Sequence, residues 1–263
     1  MAISKKASLV EEQKVVIPLD QAIPEIEGRK AWEIPESHLE KDGKGSYKLI
    51  NKRRPSKTLL VNNIRKEVDA WRKSGYQFPS GITNTSLILL NHWFGQDHLV
   101  DGAIFHFRFA QQEAIETTMY LYEIKGVRDN ALLAEGYMDA MAYGNDIFTN
   151  RKDIIETAMA KRILTRVVPE TGLLSNQDLP PHGLTRYCSK AATGSGKTMV
   201  MAFLTVWSYF HKKFEDNSDL SKTILVIAPN VIVYERLKTD FENGNIFYHF
   251  PFIPDEWRYD WNM

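Results

Sequence analysis

The 263 residues carry 33 Lys and Arg against 33 Asp and Glu, so the formal net charge is zero, and with 43% hydrophobic and 25% charged residues the composition is that of an ordinary globular chain. Zero net charge excludes a whole-chain field for nucleic acid, which would have to be met by a local basic patch. Cys188 is the only cysteine, which excludes an internal disulfide and a cysteine zinc site, and without a signal-peptide-like N-terminus or an apolar run of about 18 residues the expectation is a soluble, cytoplasmic protein.

Residues 1–58 carry weak signals. Val15–Leu19 reads as a short strand, and Asp42-Gly43-Lys44-Gly45-Ser46 reads as a turn. The basic run Lys48, Lys52, Arg53, Arg54 and Lys57 fits a solvated linker, with phosphate contact as the alternative. From Leu60 the pattern changes. Leu60, Val61, Ile64, Val68 and Trp71 recur at helical spacing, and Gly75 is the expected stop. Pro79-Ser80-Gly81 is a turn, and Thr83 or Thr85 is placed to cap a second helix through Leu87, Leu90, Trp93 and Phe94.

Phe105, Phe107 and Phe109 alternate with His106 and Arg108, which predicts a half-buried strand over 103–109. His106 is then a polar-face residue. An amphipathic helix follows, with Ala114, Ile115, Thr118, Met119 and Tyr122 on one face and Gln111 at its start, three residues after Arg108. A carboxamide carries a donor and an acceptor in one plane, which suits it to the edge of a base. Residues 126–183 read as an insertion with structure of its own, including a helix marked by Ile154, Ile155, Ala158, Met159 and Ile163 and a polar stretch from Pro169 through Pro180-Pro181-His182-Gly183.

Ala191-Ala192-Thr193-Gly194-Ser195-Gly196-Lys197-Thr198 is the most informative stretch of the chain. Gly194 and Gly196 can take positive φ and bring main-chain N–H groups close to phosphate oxygens. The helix that follows points its unsatisfied N–H groups at the same place. Lys197 supplies a positive charge, and Thr198 a hydroxyl for the Mg²⁺ that accompanies a nucleoside triphosphate. Thr193 and Ser195 complete the phosphate-binding turn. Leu184–Lys190 is then the strand feeding the loop, and Met199–Phe210 a helix apolar nearly all round, expected against a sheet. Thr223–Ala228 is a continuous apolar run of the kind found in a parallel strand buried on both faces, and Val233, Leu237 and Phe241 mark the next helix. The order strand, loop, helix, strand, helix predicts an α/β fold: part of a RecA-like P-loop domain with a parallel sheet and flanking helices, preceded by a mainly helical N-terminal region. The expected organisation is an extension or linker over 1–58, a helical accessory region over 59–125, the insertion over 126–183 and the first half of the ATP-binding domain over 184–263.

Ala191 stands where the general phosphate loop has its first glycine, and Ala-x-x-Gly-x-Gly-Lys-Thr resembles motif I of superfamily-2 helicases and translocases. The segment around Gln111 resembles the Q-motif of that superfamily, which implies that Gln111 reads adenine with Phe109 or Phe107 stacked nearby. Ala228-Pro229-Asn230 looks like motif Ia, which implies that Pro229 and Asn230 touch the nucleic-acid backbone. Arg186–Ala202, Val226–Asn230 and Tyr234–Leu237, with Trp71-Arg72 and Leu89–Phe94, are similar to the ATPase (Res) subunit of type III restriction enzymes and related DEAD/DEAH-type proteins. That resemblance implies ATP and Mg²⁺ as cofactors, double-stranded DNA as a partner, a methyltransferase (modification) subunit as another, and Lys197 and Thr198 as the groups through which ATP is turned over. Within these 263 residues no Asp-Glu-x-His follows Thr198, and Asp255-Glu256 read as solvated acids. The expectation is an ATP-binding N-terminal part that does not hydrolyse ATP alone and is marginally stable without strands to flank 184–190. The competing readings are a small-molecule P-loop phosphotransferase, disfavoured by Ala191 and Gln111, and a non-enzymatic remnant.

Overall fold

The computed structural model describes residues 26–41, 46–56, 58–137, 163–167, 174–178, 183–192 and 194–262. The expected strand at Val15–Leu19, the turn at 42–45, Lys57, Thr193 and the segment from Ile154 to Arg162 lie outside the described residues. Two compact units are present, one made of residues 1–29 and 35–54 and the other of 30–34 and 55–263.

In the first unit, β1 (His38–Lys41) and β2 (Tyr47–Ile50) pair antiparallel with His38 opposite Ile50. Lys48 of the basic run is therefore a strand residue opposite Glu40.

The second unit is built on helices. In α1 (Leu59–Lys73) the apolar stripe buries Ile64, Val68 and Trp71, and the chain leaves through Gly75 at φ 66°. Helix α2 (Asn84–Phe94) is capped by Thr83, whose hydroxyl accepts from the Ser86 N–H, and buries Leu89, Leu90 and Trp93. A short antiparallel pair follows, β3 (His98–Val100) with β4 (Ala103–Phe105). The expected strand over 103–109 thus ends at Phe105, because Arg108 caps α3 (Phe109–Met119) and the backbone must turn helical there. The helix continues as one π-turn over Tyr120–Ile124, and α4 (Asn130–Gly136) is capped by Asp129. β5 (Ile163–Val167) and β6 (Leu174–Asp178) form a third antiparallel hairpin, so Ile163 opens a strand where a helix end was expected.

Helix α5 (Lys197–Phe214) sits at the centre of the core. Its Phe203 lies edge-on to Trp93, Phe107 and Phe252, with ring centroids 4.6, 4.6 and 4.8 Å away, and its Val206 and Phe210 are fully buried. Edge-to-face aromatic contacts of this kind each add about 0.5–1.5 kcal/mol beyond the area they bury. Helix α6 (Val231–Phe241) and the short α7 (Asn245–His249) lead to residues 250–262, where the Phe252 carbonyl accepts from Trp93 Nε1 at 2.7 Å.

The parallel sheet expected around α5 is not found among the described residues. The sheets there are three two-stranded antiparallel hairpins. Leu184–Lys190 and Thr223–Ala228 form no strand, and in the second Leu225 is 83% and Ile227 79% exposed. A strand buried on both faces needs a neighbour on each edge to satisfy its N–H and C=O groups, and neither segment has one here. Helix α5 therefore buries its apolar surface on α2, α3 and residues 250–261, taking from helices and aromatic rings the cover that a sheet was expected to give. Helix α6 has no fully buried residue, although Val233, Leu237 and Phe241 are half-buried along the expected stripe.

Candidate functional site

Gly194 at φ 78° and Gly196 at φ 85° both occupy the left-handed region, as the loop's sequence requires. Gly196 is the residue immediately before α5, so the chain passes from a left-handed glycine directly into Lys197 and Thr198 of the first turn. The Met199 and Val200 N–H groups donate to the Gly196 carbonyl at 3.0 and 3.3 Å, so the N–H groups of Lys197 and Thr198 are the ones left at the helix terminus, which carries a partial positive charge. The loop closes on itself through Ser195, whose N–H and hydroxyl both donate to the Ala192 carbonyl, at 3.3 and 2.7 Å. Lys197 is exposed and folded back, its Nζ donating to the carbonyls of Ala191 and Ala192 at 2.8 Å each. Thr198 is half-buried beside it. Two left-handed glycines, a helix N-terminus and a lysine at the loop mouth are groups that could hold phosphate oxygens, and the Thr198 hydroxyl is one that could hold an accompanying metal ion.

The structure brings the segment around Gln111 to this loop. Gln111 is buried at the third position of α3, and its Oε1 accepts from the Arg108 N–H at 2.8 Å. Its other end faces the loop so closely that a Cβ on Gly196 would lie 2.1 Å from Gln111 Nε2. Its φ favours glycine at 196, and a side chain there would in addition have to displace the Gln111 amide. The Arg108 guanidinium reaches the loop as well, with Nη1 donating to the Gly194 carbonyl at 3.0 Å. Arg108 and Gln111 lie close in the sequence, and one cap geometry directs both at the loop.

The aromatic partners expected for a base are elsewhere. Phe107 and Phe109 are each only 4% exposed. Phe107 packs among Phe105, Phe203 and Phe252, and the Arg72 guanidinium lies 5.0 Å from the Phe109 ring. Neither has a face open to a nucleotide, which corrects the stacking role that the resemblance implied for them. Asn230 is the N-cap of α6, its side chain accepting from the Val233 N–H at 3.0 Å, and Asn230 and Pro229 are both exposed.

Two anchors that the sequence does not reveal hold the approach to the loop. The Gly183 N–H donates to Asp129 Oδ2 at 3.0 Å, and the Tyr187 hydroxyl donates to the Val127 carbonyl. Burial pushes the Tyr187 phenol up to about 12, so it stays a donor at neutral pH. Behind the loop, α3 is locked to α1. Arg72 meets the fully buried Glu116 through Nε and Nη2, and Glu116 also accepts from the Tyr76 hydroxyl at 2.7 Å and Gln112 Nε2 at 2.9 Å. Burial works against the charge on Arg72, but its bonds to Glu116 and Asp69 outweigh that and raise its pKa further. No group of three or more His, Cys, Asp or Glu placed to hold a metal ion occurs among the described residues.

Residues 104–257, more than half of the chain, match the family model described as type III restriction enzyme, res subunit. The chain belongs to that family, which carries a RecA-like fold and helicase-like ATPase function as family properties. No curated protein and no solved structure matches it closely enough to compare. The matched span begins just before the Arg108–Gln111 cap and includes the whole phosphate loop. Among the described residues no helix is long and apolar enough to cross a membrane.

Proposed function

We propose that this chain is the ATP-binding part of a DNA-dependent ATPase of the restriction-translocase type and holds ATP·Mg²⁺ at the phosphate loop. The observation that carries the reading is the loop itself: left-handed Gly194 and Gly196 run into the first turn of α5 with Lys197 at the mouth. In binding, Lys197 exchanges the Ala191 and Ala192 carbonyls for phosphate oxygens. The N–H groups of Gly194, Gly196, Lys197 and Thr198 would turn to the same oxygens, and the Thr198 hydroxyl would hold Mg²⁺. Bound Mg²⁺ would neutralise charge on the phosphates. Gln111 is the residue proposed to read adenine, and because its amide is buried between the Arg108 N–H and Gly196 it would have to swing out of that seat to do so. Pro229 and Asn230, exposed at the start of α6, are proposed to meet the backbone of double-stranded DNA, and a modification methyltransferase is the proposed protein partner. The test is titration of the purified chain with ATP·Mg²⁺, alongside an assay for DNA-stimulated phosphate release. Saturable binding that Lys197→Ala weakens is expected, and any release must be lost in the same variant; an absence of binding, or release that survives Lys197→Ala, would contradict the reading.

A further inference from the structure

We propose that the cavity between α2 and the turn at residues 254–257 is a binding site for a small organic cation with an apolar stem, an alkylguanidinium or an alkylammonium. The site shares no residue with the phosphate loop and does not depend on the nucleotide reading. The cavity has a volume of about 390 Å³, within the range of roughly 300–1,000 Å³ that small ligands occupy. One wall is α2, through Ile88 and His92, and the other is the turn, through Pro254, Asp255, Glu256 and Trp257. Two hydrogen bonds fix the walls relative to one another. Trp93 Nε1 donates to the Phe252 carbonyl at 2.7 Å, and His92 Nε2 meets the Pro251 carbonyl at 3.1 Å.

The lining divides by chemistry. Ile88, Pro254 and the indole of Trp257 are apolar and suit a hydrocarbon stem. Trp257 packs on Phe210 and Phe214, with ring centroids 4.9 and 5.0 Å away, so its conformational freedom is already lost before a ligand arrives. An indole also attracts a cation, and a guanidinium above all, through its π-face. Asp255 and Glu256 are the exposed acids of the lining, and no Lys or Arg joins them there. Their charges reach the opposite wall: both pull the His92 pKa upward, against the burial and the neighbouring His98 that lower it to about 4. His92 is therefore neutral at pH 7, and the two carboxylates are the charges that the cavity presents. Asp255 Oδ1 holds Arg258 at 2.8 Å, but both side chains are exposed, and an entering cation can share the carboxylate. Glu256 has no ion-pair partner among the described residues. A bare inorganic cation would leave the apolar wall unused, and a neutral apolar molecule would leave the carboxylates unused. A short hydrocarbon stem that ends in a cation uses both.

The experiment is calorimetric titration of the full chain with agmatine, a free alkylguanidinium, and with N-acetyl-arginine amide, which presents the same group as a protein side chain does. Butanol supplies a stem without charge and ammonium chloride a charge without stem. Saturable binding of agmatine or of the blocked arginine is expected, the tighter of the two identifying a free amine or a protein side chain as the source, and neither control is expected to bind. Glu256→Gln alters an exposed residue and must weaken the binding about tenfold, the loss of one charge-assisted contact, whereas Glu235→Gln, an exposed acid on α6, must leave it within about twofold. Asp255→Asn must act in the same direction as Glu256→Gln. The His92 ring signals in the proton NMR spectrum, assigned by their loss in His92→Asn, must shift during the titration. Binding of neither cation, equal binding of butanol, unchanged affinity in both Glu256→Gln and Asp255→Asn, an equal loss in Glu235→Gln, or His92 signals that stay in place while the cation binds would each overturn the site.

Discussion

At the scale of single residues, Gly196 concentrates the constraints of the site. Its φ of 85° is one that an L side chain adopts at a penalty of about 1–2 kcal/mol, and a Cβ there would meet Gln111 Nε2 at 2.1 Å. Gly194 shares the positive φ, but a Cβ on it would have nothing within 4 Å. Gly196→Ala is therefore expected to lower the melting temperature and the ATP affinity more than Gly194→Ala does, with Gln111→Ala relieving part of the difference. Thermal melting and calorimetry of the three variants check this; equal effects of the two glycine substitutions would show that the Gln111 contact carries no weight. Lys197 differs in kind. Its ammonium rests on two carbonyls of its own loop, so it holds the turn in shape as well as being the charge proposed to meet a phosphate.

At the scale of elements, the position of Gln111 depends on how α3 is seated, and α3 is seated by α1. Glu116 is fully buried and is satisfied by Arg72, Tyr76 and Gln112. Removing the cation would leave a buried carboxylate without its counter-charge, so Arg72→Ala is expected to destabilise the fold by about 3–5 kcal/mol, measured by denaturant unfolding. A loss below about 1 kcal/mol would mean that the pair is solvated in solution. Helix α2 supplies a pH dependence. Burial, with the nearby His98 adding to it, lowers the His92 pKa from 6.5 to about 4, against the opposing pull of the Pro251 carbonyl, Asp255 and Glu256. The unfolded chain takes up this proton near pH 6.5 and the folded chain only near 4, so stability present above about 6.5 is lost as pH falls through that window. Melting temperatures at pH 7 and 4.5 are expected to differ less in His92→Asn than in the unaltered chain; an identical drop in both would assign the acid sensitivity to other groups.

For the molecule as a whole, helices and loop were legible in the sequence because their signals are local. The stripes of α1 and α6, the Thr83 cap and the Gly-Lys-Thr of the loop each lie within a few residues. The sheet was not legible, because an apolar run such as Thr223–Ala228 states that a segment can be a strand and not that partners are beside it. Leu225, Ile227, Val231 and Ile232 remain exposed as a result. The alternation through Phe105, Phe107 and Phe109 misled for a related reason: period two continued while the Arg108 cap turned the backbone into α3. Of the candidate site, the loop and Gln111 stand out in the sequence, but the contacts of Asp129 and Tyr187 join residues far apart in the chain, and no pattern along the chain encodes them. They tie down residues 183–187 ahead of the loop, where nucleotide binding is proposed. The most direct test of that central proposal is calorimetric titration of the 263-residue chain and of Lys197→Ala with ATP·Mg²⁺. The account expects one saturable site, weakened about a hundredfold or more by the loss of the charge-assisted bonds of Lys197; an absence of binding, or equal affinity in the variant, would contradict it.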